Sequence, residues 1–371
     1  VNLEYSDEQR LLQDSVTRFL AEKYRPDDRR RHAGEADGFS RDMLRAIADL
    51  GWLGLGVPEE HGGLGGGAIE VGIVMAGIGR ALVLEPCLQI LICARLISAL
   101  GSEAQRERWL PTLIEGRAGM AFAHEERRSA VDTGAPVTRA RQDGSGWRIH
   151  GRKLAVPLGD AAETFLVSAT AGDRPALFLV AANADGVRKE AFATVDGGSA
   201  CHLELNEARV DGDARLGEKH AAAAIDAALD FAAVAVAHEA LGCMDALLEA
   251  TVAYTKTREQ FGRPLAANQV LRHRMADMAL RCEETRGLAL RGALASDYEA
   301  PARARAASAA KYKAGKAGQY VAEQAVQLHG GMGVTEELNV GGYLKRLIAI
   351  DATFGSPAAH LRRHAALAGK A

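Results

Sequence analysis

The sequence predicts an α+β protein of several domains: an all-α N-terminal domain, a β middle domain and a C-terminal helical bundle. Three observations carry this. Apolar residues recur at helical spacing up to about residue 118. Short β-prone runs divided by turn residues replace them from about 119 to 213. Helical spacing then returns, with eleven alanines in residues 221–240. At 371 residues the chain has length for two or three domains, placed here at 1–118, 119–213 and 214–371.

In the first domain, Ser6-Asp7-Glu8-Gln9 offers a capping box, and Leu11, Leu12, Val16, Phe19 and Leu20 follow at helical spacing. Asp42–Leu50 repeats the pattern and stops at Gly51. Val71–Leu84 is a largely apolar helix ending near Glu85-Pro86, and Leu88–Leu100 is another, stopped by Gly101. Gly56–Gly65 holds too many breakers to be anything but a loop. Arg25–His32 reads as a solvated surface of mixed charge.

In the middle domain, Trp147–Leu154, Phe165–Val167, Ala176–Val180 and His202–Leu205 are the strand candidates. Asp143-Gly-Ser-Gly, Gly172-Asp-Arg-Pro and Asp196-Gly-Gly are the turns. This pattern suits a small barrel or sandwich and not a βαβ fold. From residue 221 one helix reaches about Lys256. Others span about Asn268–Tyr298 and Arg303–Leu328, and a short fourth follows Gly341, as an antiparallel bundle requires.

On the first bundle helix, Asp226, Asp230, His238, Asp245 and Glu249 fall within about 140° at about 100° per residue, which reads as the solvated stripe. Glu239 lies outside it among Ala, Val and Leu. A buried carboxylate there is either paired with an Arg of a neighbouring helix or functional.

Composition narrows the function. Net charge is −3, which argues against nucleic-acid binding by bulk electrostatics. The five Cys are scattered without C-x-x-C, and H-E-x-x-H is absent, so neither zinc nor a disulfide framework is expected. Charges interrupt the apolar runs, so no membrane span is expected. The acidic, polar start does not resemble a signal peptide, and the cytoplasm is the expected location. Aromatics are only 5%, so the core must rest on Ala, Leu and Val.

Three stretches then combine: Pro58-Glu-Glu-His-Gly-Gly-Leu-Gly65, Tyr254-Thr-Lys-Thr-Arg-Glu-Gln-Phe-Gly-Arg-Pro-Leu265 and Gln327-Leu-His-Gly-Gly-Met-Gly-Val-Thr-Glu336. In this order, around a β middle segment, they resemble the acyl-CoA dehydrogenase family along essentially the whole chain. The resemblance implies an all-α N-terminal domain, a β-barrel middle domain and a C-terminal four-helix bundle. It implies FAD at a subunit interface, α,β-desaturation of an acyl-CoA, and an electron-transfer flavoprotein as acceptor. It also implies that Arg258, Gln260, Phe261 and Gln269, with Gln327, Gly330 and Gly331, hold the AMP half of FAD lodged in a neighbouring subunit. The chemistry agrees: Arg suits a pyrophosphate, and paired glycines admit close backbone approach.

The flavin-ring half departs from the family pattern. Where the family has a T-E-P-x-A-G-S-D-like stretch, the chain reads His124-Glu-Glu-Arg-Arg-Ser-Ala-Val-Asp132, with His124 at the flavin-bonding Thr. Where the family has K-x-W-I-T-N-G, it reads Lys153-Leu-Ala-Val-Pro-Leu-Gly159, with Ala155 at the Trp and Pro157 at the Thr. The base position of the family's Y-E-G-T stretch holds Phe354, and the alternative base position on the first bundle helix holds Ala232. Neither can take a proton. Glu239 is seven residues further on, about 10 Å along the helix axis.

The leading expectation is therefore the small-subunit type of two-subunit bacterial acyl-CoA dehydrogenases, such as the pimeloyl-CoA dehydrogenase small subunit. Such a chain would complete the FAD site of a catalytic partner without supplying a base. A self-sufficient homo-oligomer with a displaced base (Glu239, then Asp351) and a flavin-free scaffold on the same fold stand as alternatives. The acyl group is not readable.

Overall fold

The computed structural model describes residues 4–126, 135–217, 219–335 and 337–368. Contacts gather the chain into two compact units. One comprises residues 1–30, 68–83 and 233–371, and the other 31–67 and 84–232.

The first unit is helical. Helix α1 (Asp7–Lys23) starts at the expected capping box: Ser6 Oγ accepts the Gln9 N–H and Gln9 Oε1 accepts the Ser6 N–H. Helix α4 (Ala68–Ala81) packs on α1. Helices α7 (Ala221–Thr257, in this unit from residue 233), α8 (Gln269–Leu294) and α9 (Ala300–His329) match the expected long helices. Helix α10 (Val340–Ala352) is the short fourth, and a further helix, α11 (Pro357–Ala368), also packs on α9. By length and hydropathy α7 could cross a membrane, but 72% of its most apolar window is buried inside the protein. Its alanine-rich first twenty residues serve a core helix.

Glycine lets α7 and α4 approach closely. A Cβ on Gly79 would sit 1.9 Å from the Glu239 carbonyl oxygen, and one on Gly242 would sit 1.9 Å from that of Ala76. Only hydrogen fits at these positions. Cys243 Sγ donates to the Gly79 carbonyl across the same contact, at 3.1 Å.

This packing corrects the expected solvated stripe. Asp230 and His238 are buried, Asp226 and Asp245 are half-buried, and only Glu249 is exposed. His238 is accommodated because α4 presents Gly72, where a Cβ would lie 2.7 Å from its Nε2. Periodicity marks a polar face but not what covers it. Burial lowers the His238 pKa and keeps the ring neutral.

The second unit contains α3 (Arg41–Asp49), α5 (Cys87–Leu100) and α6 (Glu103–Ile114) with an eight-stranded mixed sheet. Helix α2 (Pro26–Ala33) spans the division between the units. It covers the stretch expected as a charged surface. Most of its charges are solvated, but His32 is buried with Nδ1 3.2 Å from Glu85 Oε1. The sheet runs β6-β7-β3-β2-β4-β5-β8, with β1 (Met120–Ala123) on β4. Strands β3 (Gly146–Pro157), β4 (Thr164–Ala171), β5 (Arg174–Ala181) and β7 (Ser199–Val210) contain the four predicted runs. β2 (Arg139–Asp143) and β6 (Val187–Ala193), mostly exposed, were not foreshadowed by apolar alternation, nor was the two-residue β8 (Arg215–Leu216).

Candidate functional site

The second and third motifs meet at one end of the bundle. Helix α7 ends at Thr257 and passes into a hairpin of β9 (Glu259–Gln260) and β10 (Arg263–Pro264). Phe261 (φ 53°) and Gly262 (φ 77°) form its two-residue turn. Positive φ at both turn residues is the type I′ geometry, whose twist matches the paired strands. The Leu265 N–H donates to the Arg258 carbonyl at the hairpin base, and Arg263 is fixed to Asn268 Oδ1 at 2.6 Å.

Helix α9 ends at His329, and Gly330 (φ 59°) turns the chain into Gly331-Met-Gly-Val334. Space is open where a Cβ on Gly330 or Gly331 would project. The two loops are joined beneath their tips: the Tyr254 ring stacks on His329 with centroids 4.5 Å apart and planes at 27°.

Arg258, Gln260, Phe261, Gln269, Gln327, Gly330 and Gly331 are all exposed, Phe261 completely. Among the described residues the Arg258 guanidinium has no hydrogen-bond or ion-pair partner. This surface offers a free cation, amide groups and bare backbone, the donors that a nucleotide pyrophosphate needs. These residues fit the nucleotide half of FAD. The Pro58–Gly65 loop lies in the other unit. There the Gly63 N–H donates to the Pro58 carbonyl, the Gly65 N–H to the Val57 carbonyl and the Gly56 N–H to the Gly65 carbonyl.

The expected ring-side positions lie in the second unit. His124 is buried, its ring stacked on Phe122 and its Nδ1 2.9 Å from Ser168 Oγ. Lys153, fully buried, donates to Glu126 Oε1 (2.8 Å), Ser168 Oγ (3.0 Å) and the His124 carbonyl (3.3 Å). Glu126 also accepts the N–H of Thr138. Burial alone would raise the Glu126 pKa. The Lys153 charge and the hydrogen bonds from Lys153 and Thr138 outweigh it and bring the value down to about 2. Residues 127–132 of the stretch from His124 lie outside the described residues.

Ala155 is exposed in a bulge of β3, at φ 47°, and its N–H already donates to His202 Nδ1 at 3.2 Å. The Phe192 ring packs on His202, centroids 4.9 Å apart. Pro157 brings no N–H. With a small side chain, an engaged N–H and a proline, these positions do not fit an isoalloxazine ring that needs a stacking face and donors.

The base positions also lack a proton acceptor. Phe354 (φ 54°) occupies a turn between α10 and α11. The fully buried Lys311 donates to the Asp351 and Gly355 carbonyls, and His360 Nε2 donates to the Phe354 carbonyl at 2.8 Å. Asp351 is half-buried beside this turn. Ala232 is buried in α7. Glu239 is the paired carboxylate that one reading anticipated: Arg346 Nε on α10 donates to Oε1 at 2.6 Å, and the carboxylate side chain is 2% exposed. No group of His, Cys, Asp and Glu among the described residues could hold a metal ion.

The model of the acyl-CoA dehydrogenase N-terminal domain matches residues 6–117, and that of the C-terminal domain matches residues 222–366. Acyl-CoA dehydrogenase FadE12 of Mycobacterium tuberculosis is 32% identical over 91% of this chain and 90% of its own length. The human mitochondrial short-chain specific acyl-CoA dehydrogenase is 30% identical over 81% of this chain and 76% of its own. Among solved structures, a variant of the Tcur3481-Tcur3483 steroid ACAD superposes with a TM-score of 0.90 at 32% identity, covering 98% of both chains. A chain of the ChsE4-ChsE5 complex of Mycobacterium tuberculosis superposes with a TM-score of 0.91 at 28% identity, covering 100% of both chains.

Proposed function

The chain belongs to the acyl-CoA dehydrogenase family, FAD-dependent oxidoreductases, and from that premise we propose that it is the non-catalytic subunit of a heteromeric acyl-CoA dehydrogenase. In this reading it completes the FAD site of a partner that carries the flavin ring and the base. The observation that carries the reading is a contrast. The Arg258 hairpin and the Gly330-Gly331 turn are exposed, joined and suited to a nucleotide, whereas the ring-side and base positions hold Ala155, Pro157 and Phe354. Two similar structures described as paired assemblies, Tcur3481-Tcur3483 and ChsE4-ChsE5, support it.

Bound FAD supplies hydride acceptance from the acyl β-carbon. This chain's residues have another task. Arg258 neutralises pyrophosphate charge with a planar, permanently charged fork. The N–H groups around Gly330 and Gly331 donate to the nucleotide, and Gln260 and Gln327 offer amide contacts. Phe261 provides an apolar face at the hairpin tip. Holding the nucleotide half orients the ring in the partner, which must bring its own carboxylate for the α-proton. The bond from Arg346 favours a structural role for Glu239 over that of a displaced base.

Expression of the chain alone, and with an adjacent acyl-CoA dehydrogenase gene, tests this. The pair should retain stoichiometric FAD and oxidise acyl-CoA thioesters, in a panel that includes steroid side-chain thioesters, with an electron-transfer flavoprotein as acceptor. Full activity and full flavin content in the lone chain would overturn the proposal.

A further inference from the structure

Among the described residues the two loops assigned above to the nucleotide have no direct bond to each other, but each is rooted in a helix end, and the stacked pair ties those ends. Tyr254 lies one helical turn before Arg258, and its carbonyl accepts the Arg258 N–H at 2.8 Å. His329 immediately precedes Gly330 and is 4% exposed. Its Nδ1 lies 2.8 Å from the Ala325 carbonyl. A carbonyl only accepts, so Nδ1 carries the proton and the ring plane is locked to α9. The loop after Gly331 folds back over this residue: a Cβ on Gly333 would come 3.0 Å from His329 Cβ and 2.8 Å from the Val326 carbonyl oxygen. The returning loop thus packs on the His329 Cβ, and the ring itself stacks on Tyr254 from the last turn of α7.

We propose that Tyr254 and His329 are a positioning pair, setting the separation between the Arg258 hairpin and the Gly330-Gly331 turn and thereby the grip on the diphosphate of a bound dinucleotide. The inference rests on the reading that these loops hold the ADP half of FAD. Tyr254 and His329 do not touch the ligand; they act through Arg258 and Gly330. An exposed hairpin on a two-residue strand pair cannot hold its own position. Its root in the stack restricts Arg258 to a narrow range of distances from the Gly330 backbone, so less ordering entropy is lost on binding.

The test uses the flavin-loaded assembly purified with this chain, whether the second subunit is a different chain or another copy. FAD release is followed by flavin fluorescence for wild type, Tyr254→Leu, Tyr254→Phe and Arg258→Ala. Thermal midpoints of the lone chain are measured alongside. Tyr254→Leu keeps apolar volume and removes the ring face. It should weaken FAD retention about three- to tenfold, the range that an aromatic pair supports. Tyr254→Phe should restore retention. Arg258→Ala should weaken FAD retention as well. Wild-type retention in Tyr254→Leu, with loss in Arg258→Ala, would overturn the positioning role and leave the nucleotide reading standing. Unchanged retention in Arg258→Ala would overturn the nucleotide reading and the inference together. If Tyr254→Leu fails to fold, His329→Phe decides: it keeps the stack, loses the Ala325 bond and should weaken FAD retention with the thermal midpoint held. Wild-type retention in that variant would overturn the inference.

Discussion

His360 gives the turn that carries Phe354 a measurable signature. The ring is 1% exposed, its Nε2 donates to the Phe354 carbonyl at 2.8 Å, and its Nδ1 lies 3.3 Å from Ser308 Oγ. Burial above all, with the nearby charges of Lys311 and Arg363, lowers its pKa from 6.5 to about 3 against the raising effect of the Phe354 bond. The folded chain therefore refuses a proton that the unfolded chain binds below pH 6.5. Stability from this site is full above that pH and is lost as pH falls from 6.5 toward 3. At about pH 5, 6.5 − 5 = 1.5, and at about 1.36 kcal/mol per pH unit the loss is about 2 kcal/mol. His360→Gln keeps a side-chain N–H for the Phe354 carbonyl and cannot titrate. Urea unfolding of wild type and variant at pH 8 and pH 5 isolates the effect, because every other group titrates in both. The wild type should lose about 2 kcal/mol more than the variant. Equal losses would refute the buried, neutral His360.

Two further substitutions follow. Glu126→Gln removes a carboxylate held down to about pKa 2, whose contribution is complete above about 4.5 and disappears as pH falls toward 2. The variant should be less stable by up to ~3 kcal/mol at pH 7 and equal to wild type near pH 2, read by thermal unfolding across that range. Arg346→Met strips the 2.6 Å partner from buried Glu239 and should cost about 3–5 kcal/mol, with Glu239→Gln in the same chain recovering part of it. An unchanged melting temperature in the single variant would remove the pair from the core's account.

What was legible in the sequence follows the strength of each physical signal. The alanine run and the breakers around it located α7 to within a residue of its end, because helix propensity there is local. β2, inside the sheet, and β6, at its edge, escaped notice because both are mostly solvated and carry no apolar alternation. Helix α11 escaped because His and Arg interrupt its apolar spacing. The polar stripe on α7 misled at Asp230 and His238, both buried, and at His238 the reason is visible: Gly72 on another helix makes room for a ring that periodicity assigns to water. At the site, Arg258 and the glycine turn were named from the resemblance, and the structure brings them to one end of the bundle as exposed groups. The Tyr254–His329 stack was not, since nothing in either motif announces which distant ring covers it. Arg346 as the partner of Glu239 was anticipated only as a residue type.

The hairpin tip shows that folding alone does not explain this surface. Phe261 is completely exposed and sits at φ 53°, a region that costs a bulky L-residue of order 1 kcal/mol or more. It gains no burial within the chain in return. Asn is the residue that a type I′ turn favours at that position. Phe261→Asn should therefore stabilise the isolated chain by about 1 kcal/mol, seen as a higher denaturation midpoint, while weakening assembly or FAD retention. A gain in both would mean that the aromatic tip serves no contact. A loss of stability in the isolated chain would mean that the ring makes contacts the exposed geometry does not contain. The expected opposition, stability up and retention down, is what separates a loop kept for another subunit's cofactor from one kept for its own fold.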